Sequence, residues 1–237
     1  MALPILSSPE FEATIPSTKQ PIFFRPFLVK EEKVLFMALQ GGDPKEIHNA
    51  VKNILGACIK TEGVEVEKLA MFDIEFLFLK LRGKSVGENI ELNMNHRKNP
   101  DCNHTQSVMV NLDEINVIFP DEHTDTIMVT QDVGIKFKYP SLATVDTMQA
   151  FDGQSMDSII QVIAESVHSI FDGESVHDQF TRTEVIDFLE SLNQTQFSKV
   201  TGFFSALPKL SHNVEWKCTE CGVEESILIE GLDSFFT

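Results

Sequence analysis

Apolar and polar residues alternate in two stretches that lie far apart in the chain yet read alike. Residues 90–112 are IELNMNHRKNPDCNHTQSVMVNL and residues 214–232 are VEWKCTECGVEESILIEGL. Each has a short alternating run, a polar turn carrying cysteine, and a second alternating run that closes on Leu-Asp. A period of two puts successive side chains on opposite faces of a strand, so each stretch predicts a β-hairpin. Aligning them sets Cys102 against Cys221, Asn103 against Gly222, and Val108 and Val110 against Ile227 and Ile229.

Between and before these stretches the period changes to that of a helix. Asp43-Pro44 is a helix start, an N-cap followed by proline at the first helical position. Behind it Ile47, Ala50, Val51, Ile54, Leu55 and Cys58 share one face. Residues 29–39 predict a helix stopped at Gly41-Gly42, and the very apolar residues 72–84 predict another ending at Gly87. Residues 126–130 and 134–139 predict strands. From about 143 to 210 three helices are expected. Ile159, Ile160, Ile163, Val167 and Ile170 mark the first, stopped at Gly173, and a Thr181-x-x-Glu184 capping box opens the second. Residues 193–207 supply the third, ended by Pro208. Near the start, prolines 4, 9, 16, 21 and 26 exclude helix but allow short strands. There the run Ile22-Phe23-Phe24-Arg25-Pro26-Phe27 reads either as part of a hairpin packed on its own domain or as an arm that docks on a partner. The expected fold is α+β: one domain over residues 1–237, with a small antiparallel β part interrupted by helical segments. Residues 143–210 form a helical insertion between the two halves of the repeat.

Composition narrows the function. The 237 residues can bury a full core, and the net charge of −17 disfavours nucleic acid, where phosphate contact needs basic surface. The longest basic run is Arg97-Lys98. The same charge disfavours an anionic membrane surface, and no run approaches the length of a membrane span. The first residues lack the pattern of a secretory signal, and four cysteines do not suggest a secreted disulfide framework, so a cytosolic-type protein is expected. Neither phosphate-loop glycine pattern is present, nor HExxH or GxSxG, and no acid, base and nucleophile assemble, so no enzyme is expected. The acidic pairs Glu31-Glu32 and Glu224-Glu225 read as solvated faces.

The cysteines carry the one candidate chemistry. Two strand–turn–strand units with paired thiols form a zinc ribbon when one tetrahedral ion joins their turns. In Trp216-Lys-Cys218-Thr-Glu-Cys221-Gly222 the two-residue gap lets both thiolates reach one ion, and Gly222 suits the tight turn. The first copy offers Cys102 with His96 or His104. The repeat alignment favours His96, which like Cys218 ends the first strand. The expected site is one structural zinc held by His96, Cys102, Cys218 and Cys221, with His104 as the alternative to His96. Four protein ligands would leave no open position for a substrate.

Several segments, in one order along nearly the whole chain, resemble the baseplate hub and hub-assembly protein family of T-even-type contractile-tailed bacteriophages. They include Phe24-Arg-Pro-Phe-Leu-Val-Lys-Glu-Glu-Lys33, Phe72-Asp-Ile-Glu-Phe-Leu-Phe-Leu79 and Lys84-Ser-Val-Gly87. Further along come Gly134-Ile-Lys-Phe-Lys-Tyr-Pro-Ser141, Ile170-Phe-Asp-Gly-Glu174, Phe188-Leu-Glu-Ser-Leu192 and Trp216-Lys-Cys-Thr-Glu-Cys-Gly222. The resemblance implies a non-enzymatic structural or assembly protein of the central hub. Its partners would be other hub proteins, with no nucleic acid, membrane or small-molecule substrate. It would be found in the host cytoplasm during assembly or in the virion tail. The competing reading is a zinc-ribbon adaptor of a host-type complex.

Overall fold

The computed structural model describes residues 7–95, 99, 101–121, 123–142, 144 and 155–232. It is α+β, with six α-helices and small antiparallel sheets among those residues. The chain divides into two compact units. Unit 1 comprises Met1–Val66, Phe72–Ile118 and Lys209–Thr237; unit 2 comprises Glu67–Met71 and Phe119–Pro208.

Unit 1 opens with a hairpin of β1 (Phe11–Thr14) and β2 (Pro21–Phe24), whose register runs from Phe11↔Phe24 to Thr14↔Pro21. Ile22 and Phe24 are buried on one face while Phe23 stays exposed, the alternation a half-covered strand requires. The hairpin leads into α1 (Val29–Gly41), which ends at Gly42 with a left-handed φ of 70°. In α2 (Pro44–Cys58) Asp43 accepts the Lys45 N–H, and Ala50, Val51, Ile54, Leu55 and Cys58 are buried, as the spacing predicts. Arg25 ties these pieces together. Its guanidinium donates to Glu31 Oε1 at 3.1 Å, to the Ala57 carbonyl at 3.1 Å and to the Pro26 carbonyl at 2.9 Å, and lies 3.5 Å from Cys58 Sγ. Phe24 and Arg25 therefore serve their own fold, which decides between the two readings of residues 21–27 at those positions.

Two acidic side chains depart from the solvated-face reading. Glu31 is buried against Arg25, and Glu225 is buried on the second hairpin. Neighbouring side chains point to opposite faces of a strand and about 100° apart on a helix, so one carboxylate of an acidic pair can be buried while the other meets water. Burial works against ionisation of Glu31, but hydrogen bonds from Arg25 and the Leu28 N–H outweigh it and hold its carboxyl below the usual range.

The apolar helix α3 (Met71–Ser85) presents Leu79 and Phe76 to the two predicted hairpins. The first is β3 (Asn89–Asn95) with β4 (Thr105–Asn111); the second is β10 (Lys209–Lys217) with β11 (Glu224–Glu230). The core gathers Ile90, Leu92, Met94 and Val110 from the first and Leu210, Val214, Trp216 and Ile229 from the second. The short strand β5 (Asn116–Ile118) pairs with β10, giving the order β11-β10-β5.

Unit 2 is not purely helical. A four-stranded antiparallel sheet, β6 (Thr126–Met128), β7 (Val133–Phe137), β8 (Val167–Asp172) and β9 (Ser175–His177), packs with α4 (Met156–Ser166), α5 (Arg182–Glu190) and α6 (Gln194–Ser205). Val167 and Ile170, expected on a helix, lie on β8. The helix ends at Ser166, whose hydroxyl bonds back to Val162 O, and the β-branched, aromatic run Val-His-Ser-Ile-Phe then extends to pair with β7. Asp172-Gly173-Glu174 enters a two-residue hairpin turn, with Gly173 at φ 57°. Thr181 and Glu184 cap α5 reciprocally, as the capping box predicts. Phe137, Phe203 and Phe204 form its aromatic centre, with ring centroids of Phe137 and Phe203 4.7 Å apart.

Candidate metal centre

Hydrogen bonding fixes the second turn before any ligand is considered. β10 and β11 pair as far as Lys217↔Glu224, and residues 218–223 close the turn. The Cys218 N–H donates to Val223 O at 2.9 Å and the Gly222 N–H to Cys218 O at 3.0 Å. Gly222 sits at φ 71°, a conformation costly to any residue with a Cβ. The Glu220 N–H points at Cys218 Sγ, 3.3 Å away, a dipole that stabilises thiolate.

The first turn is longer: β3 and β4 pair as far as Asn95↔Thr105. Asn103, aligned with Gly222 in the repeat, has no positive φ, so the backbone there differs from that at Gly222. Its outgoing strand is clipped to the second turn by side chains that sequence reasoning did not single out. Gln106 donates through Nε2 to Lys217 O at 3.1 Å and accepts the Thr219 N–H at 2.9 Å, acting as an extra rung. His104 Nε2 lies 3.2 Å from the Thr219 hydroxyl. Gln106 and Thr219 are polar residues with many possible partners, and only the pairing of the two hairpins makes them legible.

This clip brings three of the expected ligands together. The sulfurs of Cys102, Cys218 and Cys221 all lie within 4.8 Å of one another; Cys218 is buried, Cys102 half-buried and Cys221 exposed. His104 is not in that group, and His96 lies outside the described residues. The four cysteines form no disulfide, and Cys58 is buried in α2 away from the cluster.

The donors fit a zinc ion. Zinc–thiolate bonds of about 2.3 Å at tetrahedral angles set sulfurs roughly 3.8 Å apart, a spacing the cluster admits. At Cys102 the backbone N–H of His104 favours the thiolate, but desolvation and the neighbouring thiols of Cys221 and Cys218 outweigh it, raising the pKa. Three sulfurs this close resist ionising together, and a dication removes that resistance.

No helix among the described residues is long and apolar enough to cross a membrane. No curated protein and no solved structure matches the chain. A family model described as T4 bacteriophage base plate protein matches residues 8–237, and the chain belongs to that T4-type phage base plate family.

Proposed function

We propose, from its membership in the base plate family, that this protein is a non-enzymatic structural or assembly component of the central hub. It works through protein–protein contacts with other hub proteins, in the host cytoplasm during assembly or in the finished tail. One structural zinc, held by His96, Cys102, Cys218 and Cys221, pins its two hairpins together. The three-thiol cluster carries the metal part of this reading.

Register supports His96 as the fourth ligand. Cys218 directly follows Lys217, the last paired residue of β10, and His96 directly follows Asn95, the last paired residue of β3. Cys221 and Cys102 stand at equal distances before Glu224 and Thr105, where pairing resumes. The two turns thus offer equivalent positions, one filled by imidazole. His104 is already engaged with Thr219. In such a site the ion supplies only cross-linking, and the chain supplies deprotonated donors on two rigid hairpins.

Elemental analysis of protein purified without chelator should give about one zinc per chain, the stoichiometry of a closed four-ligand site. His96→Ala should lose that zinc and His104→Ala keep it. A metal content near zero, with melting unchanged by chelator, overturns the zinc. The hub role has its own test. Phage carrying a nonsense mutation in this gene should fail to complete base plates, and cross-linking during infection should join the protein to hub components. Complete, infectious tails from the mutant would overturn it.

A further inference from the structure

The sulfurs at the seam of the two hairpins can do a second chemistry besides metal binding. The Sγ atoms of Cys102, Cys218 and Cys221 lie within 4.8 Å of one another, and all three are free thiols. A disulfide sets its sulfurs about 2.05 Å apart, so at most ~3 Å of approach separates any pair from a bond. The three differ in access. Cys221 is exposed, Cys102 half-buried and Cys218 buried. The Glu220 N–H donates to Cys218 Sγ at 3.3 Å, and a sulfur stabilised in this way is the weaker nucleophile. Access and reactivity therefore select Cys221 as the sulfur that a dissolved oxidant meets, and Cys102 as the one that attacks next. Cys58 is fully buried in α2 and takes no part.

We propose that Cys102 and Cys221 form a disulfide joining the two hairpins when the chain meets a small-molecule disulfide such as oxidised glutathione. The Cys221 thiolate attacks one sulfur of the oxidant, whose S–S bond breaks. One thiolate leaves, and a mixed disulfide remains on Cys221. The Cys102 thiolate then attacks the Cys221 sulfur, forms the Cys102–Cys221 bond and expels the second thiolate. Two protein thiols are oxidised, their protons pass to the departing thiolates, and the oxidant is reduced to two thiols. The second step takes place within one molecule. Gln106 spans the seam, donating to Lys217 O at 3.1 Å and accepting the Thr219 N–H at 2.9 Å, which holds the Cys102 strand against the second turn. The bond needs the sulfurs and not the ion. Where zinc is held, the bond removes two of its ligands and releases it, so metal and disulfide are alternative clasps at one seam. On the proposed role as a tail component, the chain passes from a reducing host cytoplasm to oxidising surroundings, and the clasp changes from ion to bond on the way.

Full-length protein freed of reductant and exposed to oxidised glutathione tests this. After alkylation of the remaining thiols, peptide mapping should show Cys102 joined to Cys221, with Cys58 and Cys218 carrying the alkyl label. Reductant should restore four labelled cysteines. Cys218→Ser should form the same bond. Cys221→Ser should react with glutathione about tenfold or more slowly than the wild type, having lost the accessible sulfur. Zinc added before the oxidant should slow the bond about tenfold or more by occupying both sulfurs. A bond that forms at the same rate with zinc present supports the disulfide while counting against the ion, so the two readings fail separately. A Cys218–Cys221 bond in the wild type overturns the proposal, because it leaves the hairpins unjoined. Chains that stop at glutathione on Cys221, or that keep four free thiols both with and without chelator, overturn it as well.

Discussion

The two cysteine-bearing hairpins of unit 1 share register logic and a common core, yet their turns are made differently. The β10–β11 turn is closed by its own backbone, with Gly222 in a left-handed conformation and the Glu220 N–H on Cys218 Sγ. The β3–β4 turn is longer, has no positive φ at Asn103, and leans on the second turn through Gln106 and His104. The second turn prepares two thiols in advance of any ion, whereas the first brings its single cysteine into place by docking. A repeat can thus keep its strands, set by alternation over a shared core, while its turns diverge, because a turn's path is decided by a few local residues.

The largest effect should come from the thiols, where the proposed ion makes the two turns equal. Cys102→Ser and Cys218→Ser should both abolish zinc binding and cost ~3–5 kcal/mol in denaturant unfolding. A Cys102 variant that keeps its zinc would mean that the second turn holds the metal without the first. Next, Leu79 touches the core of both hairpins and is fully buried. Leu79→Ala should cost about 2–4 kcal/mol while leaving zinc content unchanged, which separates packing from ligation. The turns themselves should then part company. Gly222→Ala costs roughly 1–2 kcal/mol because a Cβ is forced into left-handed backbone, whereas Asn103→Ala should be near neutral in the same assay.

Acid gives the finest distinction. Protonating the ligands releases metal from both turns, so a metal-free comparison isolates Glu31. Its carboxyl is held below the usual range, so its contribution is present above the unfolded-state pKa and lost as pH falls through the folded one. Glu31→Gln should remove that slope, which for one proton is at most about 1.4 kcal/mol per pH unit. An unchanged acid profile would show that Arg25 finds another partner.

Both hairpins, α1 to α3 and the capped helices of unit 2 were legible because alternation, helical spacing and caps are local signals. In the sheet of unit 2, β6 and β7 were legible from residues 126–130 and 134–139, but β8 and β9 were not. Ile159 through Ile170 keep helical spacing across Ser166, and no glycine marks the change to β8. Gly173 read as the stop of a helix, although Asp-Gly between apolar runs is also a hairpin signal. At the candidate site the thiols were readable from spacing. The Gln106 and Thr219 clip was not, since it joins residues more than a hundred positions apart. The burial of Glu31 depends likewise on Arg25, a partner that charge counting cannot assign.

Ile118 and Lys209 face each other as cross-strand partners of β5 and β10. The chain therefore makes its long excursion from unit 1, Phe119–Pro208, through one doorway, apart from the short excursion at Glu67–Met71. For an unstructured stretch of about ninety residues, closing that doorway costs ~4 kcal/mol of chain entropy. Local hairpins and capped helices within the segment shorten its effective length and would lower that cost. Contact order then predicts that the intervening segment gains structure before the C-terminal hairpin pairs with β5. A lesion that loosens Phe119–Pro208 would accordingly slow the late pairing of strands that lie wholly outside it.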